Sequence, residues 1–243
     1  MKRITNILGS ALALGIVLTT AAALGPQGEK TAEKANANAA QGKEQAGDEE
    51  IIAAQKPSYP LKQCPVSNKP LDDRALDVVV DARLVRVCSA ECAKTVKADP
   101  AQVLAQIDAA VIAAQKAGYP LEVCVISGEE LGSMGEPVDY VYGTRLVRFC
   151  CKSCVKSFEK APDKQLARVD AALIKKQKAT YPLQVCAVSG EPLGDGAVDY
   201  LYGVTLVRLC CKDCTKAVKK NPDAVLAKLA SKENAPKKEE KGG

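Results

Sequence analysis

Leu206-Val207-Arg208-Leu209-Cys210-Cys211-Lys212-Asp213-Cys214 decides the reading of this chain, because it occurs three times. The second copy is Leu146-Val147-Arg148-Phe149-Cys150-Cys151-Lys152-Ser153-Cys154. The first is Leu84-Val85-Arg86-Val87-Cys88-Ser89-Ala90-Glu91-Cys92. An apolar strand runs into a cysteine cluster, and the cluster opens a helix. Each copy has one more cysteine upstream, at Cys64, Cys124 and Cys186. The pattern reads as a tandem array of small modules built on cysteine.

The repeat extends outward from there. Tyr59-Pro60-Leu61 recurs as Tyr119-Pro120-Leu121 and Tyr181-Pro182-Leu183, at periods of 60 and 62 residues. Copy two carries two extra residues around Gly132-Ser133-Met134-Gly135, where a hairpin loop tolerates them. After the first cysteine comes a turn, Cys64-Pro65-Val66-Ser67-Asn68, Cys124-Val125-Ile126-Ser127-Gly128 or Cys186-Ala187-Val188-Ser189-Gly190. A β-hairpin follows; in copy three its strands are expected at 197–202 and 205–210, joined at Gly203-Val204. A short helix then carries Lys94, Lys156 or Lys216.

Helical lead-ins join the copies. Asp99-Pro100 reads as a cap with proline in the first turn. Val103, Leu104, Ile107 and Val111 then share one face. Leu166, Val169 and Leu173 repeat the stripe, and Val225, Leu226 and Leu229 form a shorter version after Asn221-Pro222. These stripes are expected to pack on the modules.

Composition narrows the function classes. The chain has 243 residues, no Trp and two Phe, so a large aromatic core is excluded and thin modules need staples. Eleven cysteines supply them. The absence of histidine excludes a Ser-His-Asp or Cys-His nucleophile and every imidazole metal ligand. Net charge is +5, or +3 without Lys2 and Arg3, too small and dispersed to argue for nucleic acid. Residues 1–23 read as a signal peptide: Lys2 and Arg3, an apolar run from Ile7 to Leu18, and Ala21-Ala22-Ala23 for cleavage. The expected protein is exported, periplasmic or secreted, without stable membrane insertion after cleavage. The expected organisation is a disordered linker 24–47, module 1 at 48–98, a linker helix with module 2 at 99–160, and a linker helix with module 3 at 161–220. A C-terminal helix 221–230 and a disordered tail 231–243 complete it.

The chemistry lies in three shared cysteines per module, spaced Cys-x23-Cys-x3-Cys, or Cys-x25-Cys-x3-Cys in module 2. An i, i+4 pair places two thiols on one helix face, where they converge with the upstream cysteine. The candidate metal ligands are Cys64, Cys88 and Cys92; Cys124, Cys150 and Cys154; and Cys186, Cys210 and Cys214. Three thiolates suit Cu(I), or Zn(II) with a fourth ligand, at about one ion per module. That fourth ligand is water, the knuckle serine (Ser67, Ser127 or Ser189) or a carboxylate; Asp77, Asp139 and Asp199 recur but read as exposed strand positions. Arg86, Arg148 and Arg208 read equally as charge compensation for the thiolates and as exposed strand residues. Tyr59, Tyr119 and Tyr181, with Tyr140/Tyr142 and Tyr200/Tyr202, read as module core.

Cys151 and Cys211 are additional thiols, with Ser89 in their place in module 1. They form Cys-x-x-Cys pairs with Cys154 and Cys214, the basis of an alternative reading as a thiol–disulfide redox protein. A structural interaction array stapled by zinc is a third reading. Disulfides suit an exported chain. Three shared cysteines per module cannot pair internally, however, and eleven is odd, so metal is the preferred reading.

One cysteine, about twenty residues of hairpin, then Cys-x3-Cys opening a helix resembles the TRASH domain family, and more loosely the YHS and MYM-type zinc fingers. Phe149-Cys150-Cys151, Leu209-Cys210-Cys211 and Val87-Cys88 carry the likeness over about three quarters of the mature chain. The resemblance implies a small α+β, treble-clef-like fold in three copies and a role in binding heavy metals for sensing, trafficking or resistance. It implies the same nine ligand cysteines. The expectation is a non-enzymatic protein that buffers, carries or senses a soft or borderline metal. Its partners are metal ions and another exported or envelope protein, and not nucleic acid.

Overall fold

The computed structural model describes residues 47–233. The expected signal peptide, the linker up to residue 46 and the tail from residue 234 lie outside the described residues. Helix α1 occupies residues 47–55 and passes into a 3-10 turn, Lys56–Ser58. The chain then makes the same sequence of elements three times, a hairpin, a short helix and a longer helix. Module 1 has β1 (Leu76–Val80), β2 (Arg83–Val87) and α2 (Ala90–Ala98), and the linker helix α3 (Ala101–Gln115) leads from it to module 2. Module 2 has β3 (Val138–Tyr142), β4 (Arg145–Phe149) and α4 (Lys152–Phe158), and the linker helix α5 (Pro162–Lys178) leads on to module 3. Module 3 has β5 (Val198–Tyr202), β6 (Thr205–Leu209) and α6 (Cys214–Lys220), and the C-terminal helix α7 (Pro222–Glu233) follows it. The class is mixed α+β, with three separate two-stranded antiparallel sheets.

Each hairpin keeps one register. Val78 faces Val85, Tyr140 faces Val147 and Tyr200 faces Val207. The second strand of every hairpin buries its second, third and fifth residues, which breaks strict alternation. Leu84, Leu146 and Leu206 on one side and Val85, Val147 and Val207 on the other are all buried, so at these positions neither face of the strand is open to solvent. Two-stranded sheets are too small to stand alone, and the helices supply the missing apolar cover.

The turns between strands follow the local chemistry. Module 1 uses Asp81 and Ala82, both at positive φ (51° and 57°), in the manner of a type I′ turn. Modules 2 and 3 place glycine at the first turn position, Gly143 and Gly203. At Gly203 a Cβ would lie 2.6 Å from the Pro57 carbonyl oxygen, so this hairpin tip meets the 3-10 turn with no room for a side chain.

The apolar stripes predicted from the sequence face inward. Val103, Ile107 and Val111 of α3, Val169 and Leu173 of α5, and Val225 and Leu229 of α7 are buried. Three expectations need correction. Helix α7 runs to Glu233, past the expected stop at residue 230, because Ala-Lys-Leu-Ala-Ser-Lys has no breaker. The strands of module 3 are one residue shorter at the outer ends than 197–202 and 205–210. In module 3 the helix begins at Cys214 and not at the Cys210-Cys211 pair.

Candidate metal centres

The upstream cysteine of each module sits in a tight turn. Cys64 N–H donates to the Lys69 carbonyl (2.7 Å), and Asn68 N–H donates back to the Cys64 carbonyl (2.8 Å). Cys124 and Cys186 repeat both bonds with Glu129 and Gly128, and with Glu191 and Gly190. The turn closes through a left-handed residue, Asn68 at φ 59°, Gly128 at 78° or Gly190 at 80°. Asparagine and glycine are the residues that adopt this conformation at least cost. The other two thiols come from the end of the hairpin and the first turns of the short helix.

These elements bring three sulfurs together in every module. The Sγ atoms of Cys64, Cys88 and Cys92 all lie within 4.8 Å of one another, as do those of Cys124, Cys150 and Cys154, and of Cys186, Cys210 and Cys214. Cys88 and Cys92 are 3.9 Å apart, Cys150 and Cys154 3.8 Å, Cys210 and Cys214 3.8 Å, and Cys186 and Cys214 3.9 Å. Tetrahedral zinc with Zn–S of about 2.3 Å requires sulfurs roughly 3.8 Å apart. The donor set therefore fits a thiophilic ion. All eleven cysteines are free thiols.

The knuckle serine points at each triad. Ser67 Oγ lies 3.1 Å from Cys88 Sγ, Ser127 Oγ 3.3 Å from Cys150 Sγ, and Ser189 Oγ 3.4 Å from Cys210 Sγ. Each triad thus has one hydroxyl within hydrogen-bond distance of one of its sulfurs.

The thiols within a triad differ in acidity. Burial pushes Cys64 up, but hydrogen bonds from the Ser67 hydroxyl and from nearby backbone N–H groups outweigh it, bringing the thiol down to about 6. Cys124 and Cys186 are brought to about 6 in the same way by Ser127 and Ser189. Burial and then the neighbouring Cys124, Cys150 and Cys151 push Cys154 up to about 12. Burial and then Cys211, Cys210 and Cys186 do the same to Cys214. One thiolate forms readily, and its charge opposes the next. A bound cation removes that opposition.

Asp77, Asp139 and Asp199 are not exposed strand residues, as the sequence reading has them. Each is largely buried and accepts from two cations. Arg86, Arg148 and Arg208 donate through Nε at 2.8, 2.7 and 2.9 Å, across the hairpin pairs Asp77↔Arg86, Asp139↔Arg148 and Asp199↔Arg208. Lys56, Lys116 and Lys178 reach the other oxygen at 2.6, 2.8 and 2.7 Å. The carboxylates are committed to these cations, and the arginines to the carboxylates. Tyr59, Tyr119 and Tyr181 lie against the same feature: their hydroxyls accept the N–H of Arg86, Arg148 and Arg208 at 3.1, 3.1 and 2.8 Å.

The sequence reading missed the glutamines. Gln115 Nε2 donates to the Thr144 carbonyl (2.8 Å), and its Oε1 accepts the Leu146 N–H (2.9 Å). Gln55 holds Ala82 and Leu84 in the same way, and Gln177 holds Val204 and Leu206. Their signal was present, since Gln-Lys stands four and three residues before each repeated tyrosine.

Cys151 and Cys211 stand beside the triads. Cys151 Sγ is 3.8 Å from Cys154 Sγ, and Cys211 Sγ is 3.6 Å from Cys214 Sγ. Neither belongs to the set of mutually close sulfurs. Met134 is exposed at a loop. Among the described residues no helix is long and apolar enough to cross a membrane. No family model, curated protein or solved structure matches the chain.

Proposed function

We propose that this is an exported, non-enzymatic metal-binding protein that buffers or carries a thiophilic metal on three tandem, TRASH-like modules with a treble-clef-like layout. The observation that carries the reading is the triple recurrence of one sulfur triad, its members within 4.8 Å of one another, with a serine hydroxyl against one sulfur of each. A lone cluster of thiols arises in many cores; three equivalent ones on a repeated frame argue for a shared ligand. Cys64, Cys124 and Cys186 enter as the thiolates that meet the ion first, and the helix-borne cysteines close around it. The remaining position belongs to water or to Ser67, Ser127 and Ser189. Zn(II) and Cu(I) both fit thiolate donors without histidine. The half-buried ligand sulfurs of module 3, Cys210 and Cys214, favour exchange of the metal over permanent storage.

The test is a titration of the reduced protein with Zn(II), Cd(II) and Cu(I), read by sulfur-to-metal charge-transfer absorbance and by native mass spectrometry. Three ions per chain are expected, falling to two in each of Cys64→Ser, Cys124→Ser and Cys186→Ser. Wild-type protein that takes up no metal, or a stoichiometry unchanged by these substitutions, sinks the reading.

A further inference from the structure

Modules 2 and 3 differ from module 1 in a way that a plain metal site does not need. Each has an outer thiol, Cys151 or Cys211, in van der Waals reach of one triad sulfur but outside the triad itself. Cys211 is exposed and Cys151 half-buried, whereas their neighbours Cys154 and Cys214 are buried and half-buried. Module 1 has Ser89 at this position, whose hydroxyl only accepts the Cys92 N–H (3.3 Å) and caps α2. An ion held by the triad leaves the outer thiol uncoordinated. It is thus the one sulfur of its module that remains a free nucleophile when the site is filled.

We propose that Cys151–Cys154 and Cys211–Cys214 carry a second, stoichiometric reaction, the single two-electron reduction of a small-molecule disulfide by each pair, which expels the metal from modules 2 and 3 and leaves module 1 loaded. This rests on the metal-binding reading. The outer thiolate attacks one sulfur of the disulfide, whose S–S bond breaks and whose other half leaves as a thiolate that takes up a proton from water. The result is a mixed disulfide on Cys151 or Cys211. The sulfur of Cys154 or Cys214 then attacks the protein-side sulfur of that bond, forming the internal disulfide and releasing the second half as a thiol. Two electrons pass from the protein pair to the substrate. The triad sulfur spends its lone pair in the new bond, and the ion is left with two thiolates and dissociates unchanged in charge. The 3.8 and 3.6 Å separations bring the partners close, so each needs only a rotamer adjustment to reach the roughly 2.05 Å of a disulfide.

The experiment loads the full chain with Cd(II), counts the ions bound, adds excess glutathione disulfide, and follows release with a chromogenic chelator. Peptide mapping then locates the disulfides. The proposal expects two of three ions to leave at least about tenfold faster than the third, with bridges Cys151–Cys154 and Cys211–Cys214. The double variant Cys151→Ser/Cys211→Ser should still bind three ions and release all of them slowly. Serine stands at this position in module 1, so the fold tolerates it. The converse variant, Ser89→Cys, should convert the slow ion into a fast one. Release of all three ions at one rate, or a double variant that releases like the parent, overturns the proposal while leaving the metal sites intact. A double variant that binds fewer than three ions also overturns it, by making the outer thiols ligands. A parent that binds no Cd(II) is recognised at the counting step, and there the metal-binding reading fails first and takes this proposal with it.

Discussion

Cys64, Cys124 and Cys186 set how the metal-free protein responds to pH. Their folded thiols lie near 6 against an ordinary value of 9.0, so they stabilise the fold fully above 9 and lose that contribution as pH falls through 6. Cys154 and Cys214 are shifted the other way, to about 12, so their contribution is complete below 9 and is lost as pH rises towards 12. The metal-free protein should therefore show a melting temperature that climbs from pH 6 to 9 and drops beyond. A flat or falling profile between 6 and 9, measured by circular dichroism, would contradict the serine-stabilised thiolates. The carboxylates act independently of these thiols. Lys116 and Arg148 outweigh the burial of Asp139 and hold it below its ordinary value, so its contribution is present above about 4 and lost in acid. Asp139→Asn keeps the shape and removes the charge that two cations face; the expected loss is about 1–3 kcal/mol by urea unfolding, with metal stoichiometry unchanged. A change in stoichiometry would restore Asp139 as a ligand. The sequence showed that Asp139 and Arg148 recur, but not that they face each other. That pairing depends on hairpin register, which is set by a turn and by packing on the helices, so both residues read as exposed from spacing alone.

The helix-to-hairpin clasp is the unit that holds each site in shape. A lead-in helix carries at its end a glutamine that satisfies one carbonyl in the hairpin turn and one N–H at the start of the second strand, and a tyrosine four residues on accepts a further N–H from the same strand. Without them the backbone N–H groups of Leu146 and Arg148 lose their partners in a part-buried setting. Gln115→Ala should cost about 2–3 kcal/mol and Tyr119→Phe about 1–2 kcal/mol, read by chemical denaturation of the metal-loaded protein. Because β4 runs directly into Cys150, Gln115→Ala should also raise the metal dissociation rate of module 2 more than that of either other module. Equal loosening of all three would show that the clasp is not local. The elements themselves were legible: repeated strand, cysteine and helix signals lie within a few residues of one another, and the inward stripe of α3 follows helical periodicity. The turn residues were legible too, since asparagine or glycine after the knuckle serine answers a left-handed φ. The clasp was not legible, because glutamine and lysine on a helix read as solvated surface until the partner strand is in place. The outer ends of α7 and of module 3's strands depend on pairing and fraying, which sequence specifies weakly.

At the scale of the whole repeat region, the modules share cores unequally. The apolar cluster around Cys64 and Cys92 takes in Val103, Ile107 and Val111 of α3 and also Leu146 of module 2, with Val141 and Tyr119 against it. The cluster around Cys186 contains residues of module 3 and α7 alone. Thr144 adds to the first junction: it donates to the Gln55 carbonyl (2.9 Å) and meets Ser58 Oγ at 2.7 Å. Cavity and packing costs travel through such shared cores, while modules with separate cores unfold more independently. A Cys64→Ser substitution, which leaves module 1 without its first thiolate, should therefore speed amide hydrogen exchange in β3 and β4 as well as in β1 and β2. It should leave β5 and β6 close to their parental protection. Site-resolved exchange on the loaded protein distinguishes the cases. If module 2 keeps full protection, the α3 junction transmits nothing and the repeats are independent beads. If module 3 loosens as much as module 2, the contact of Gly203 with the Pro57 turn couples the outer modules more strongly than the shared core couples the first two.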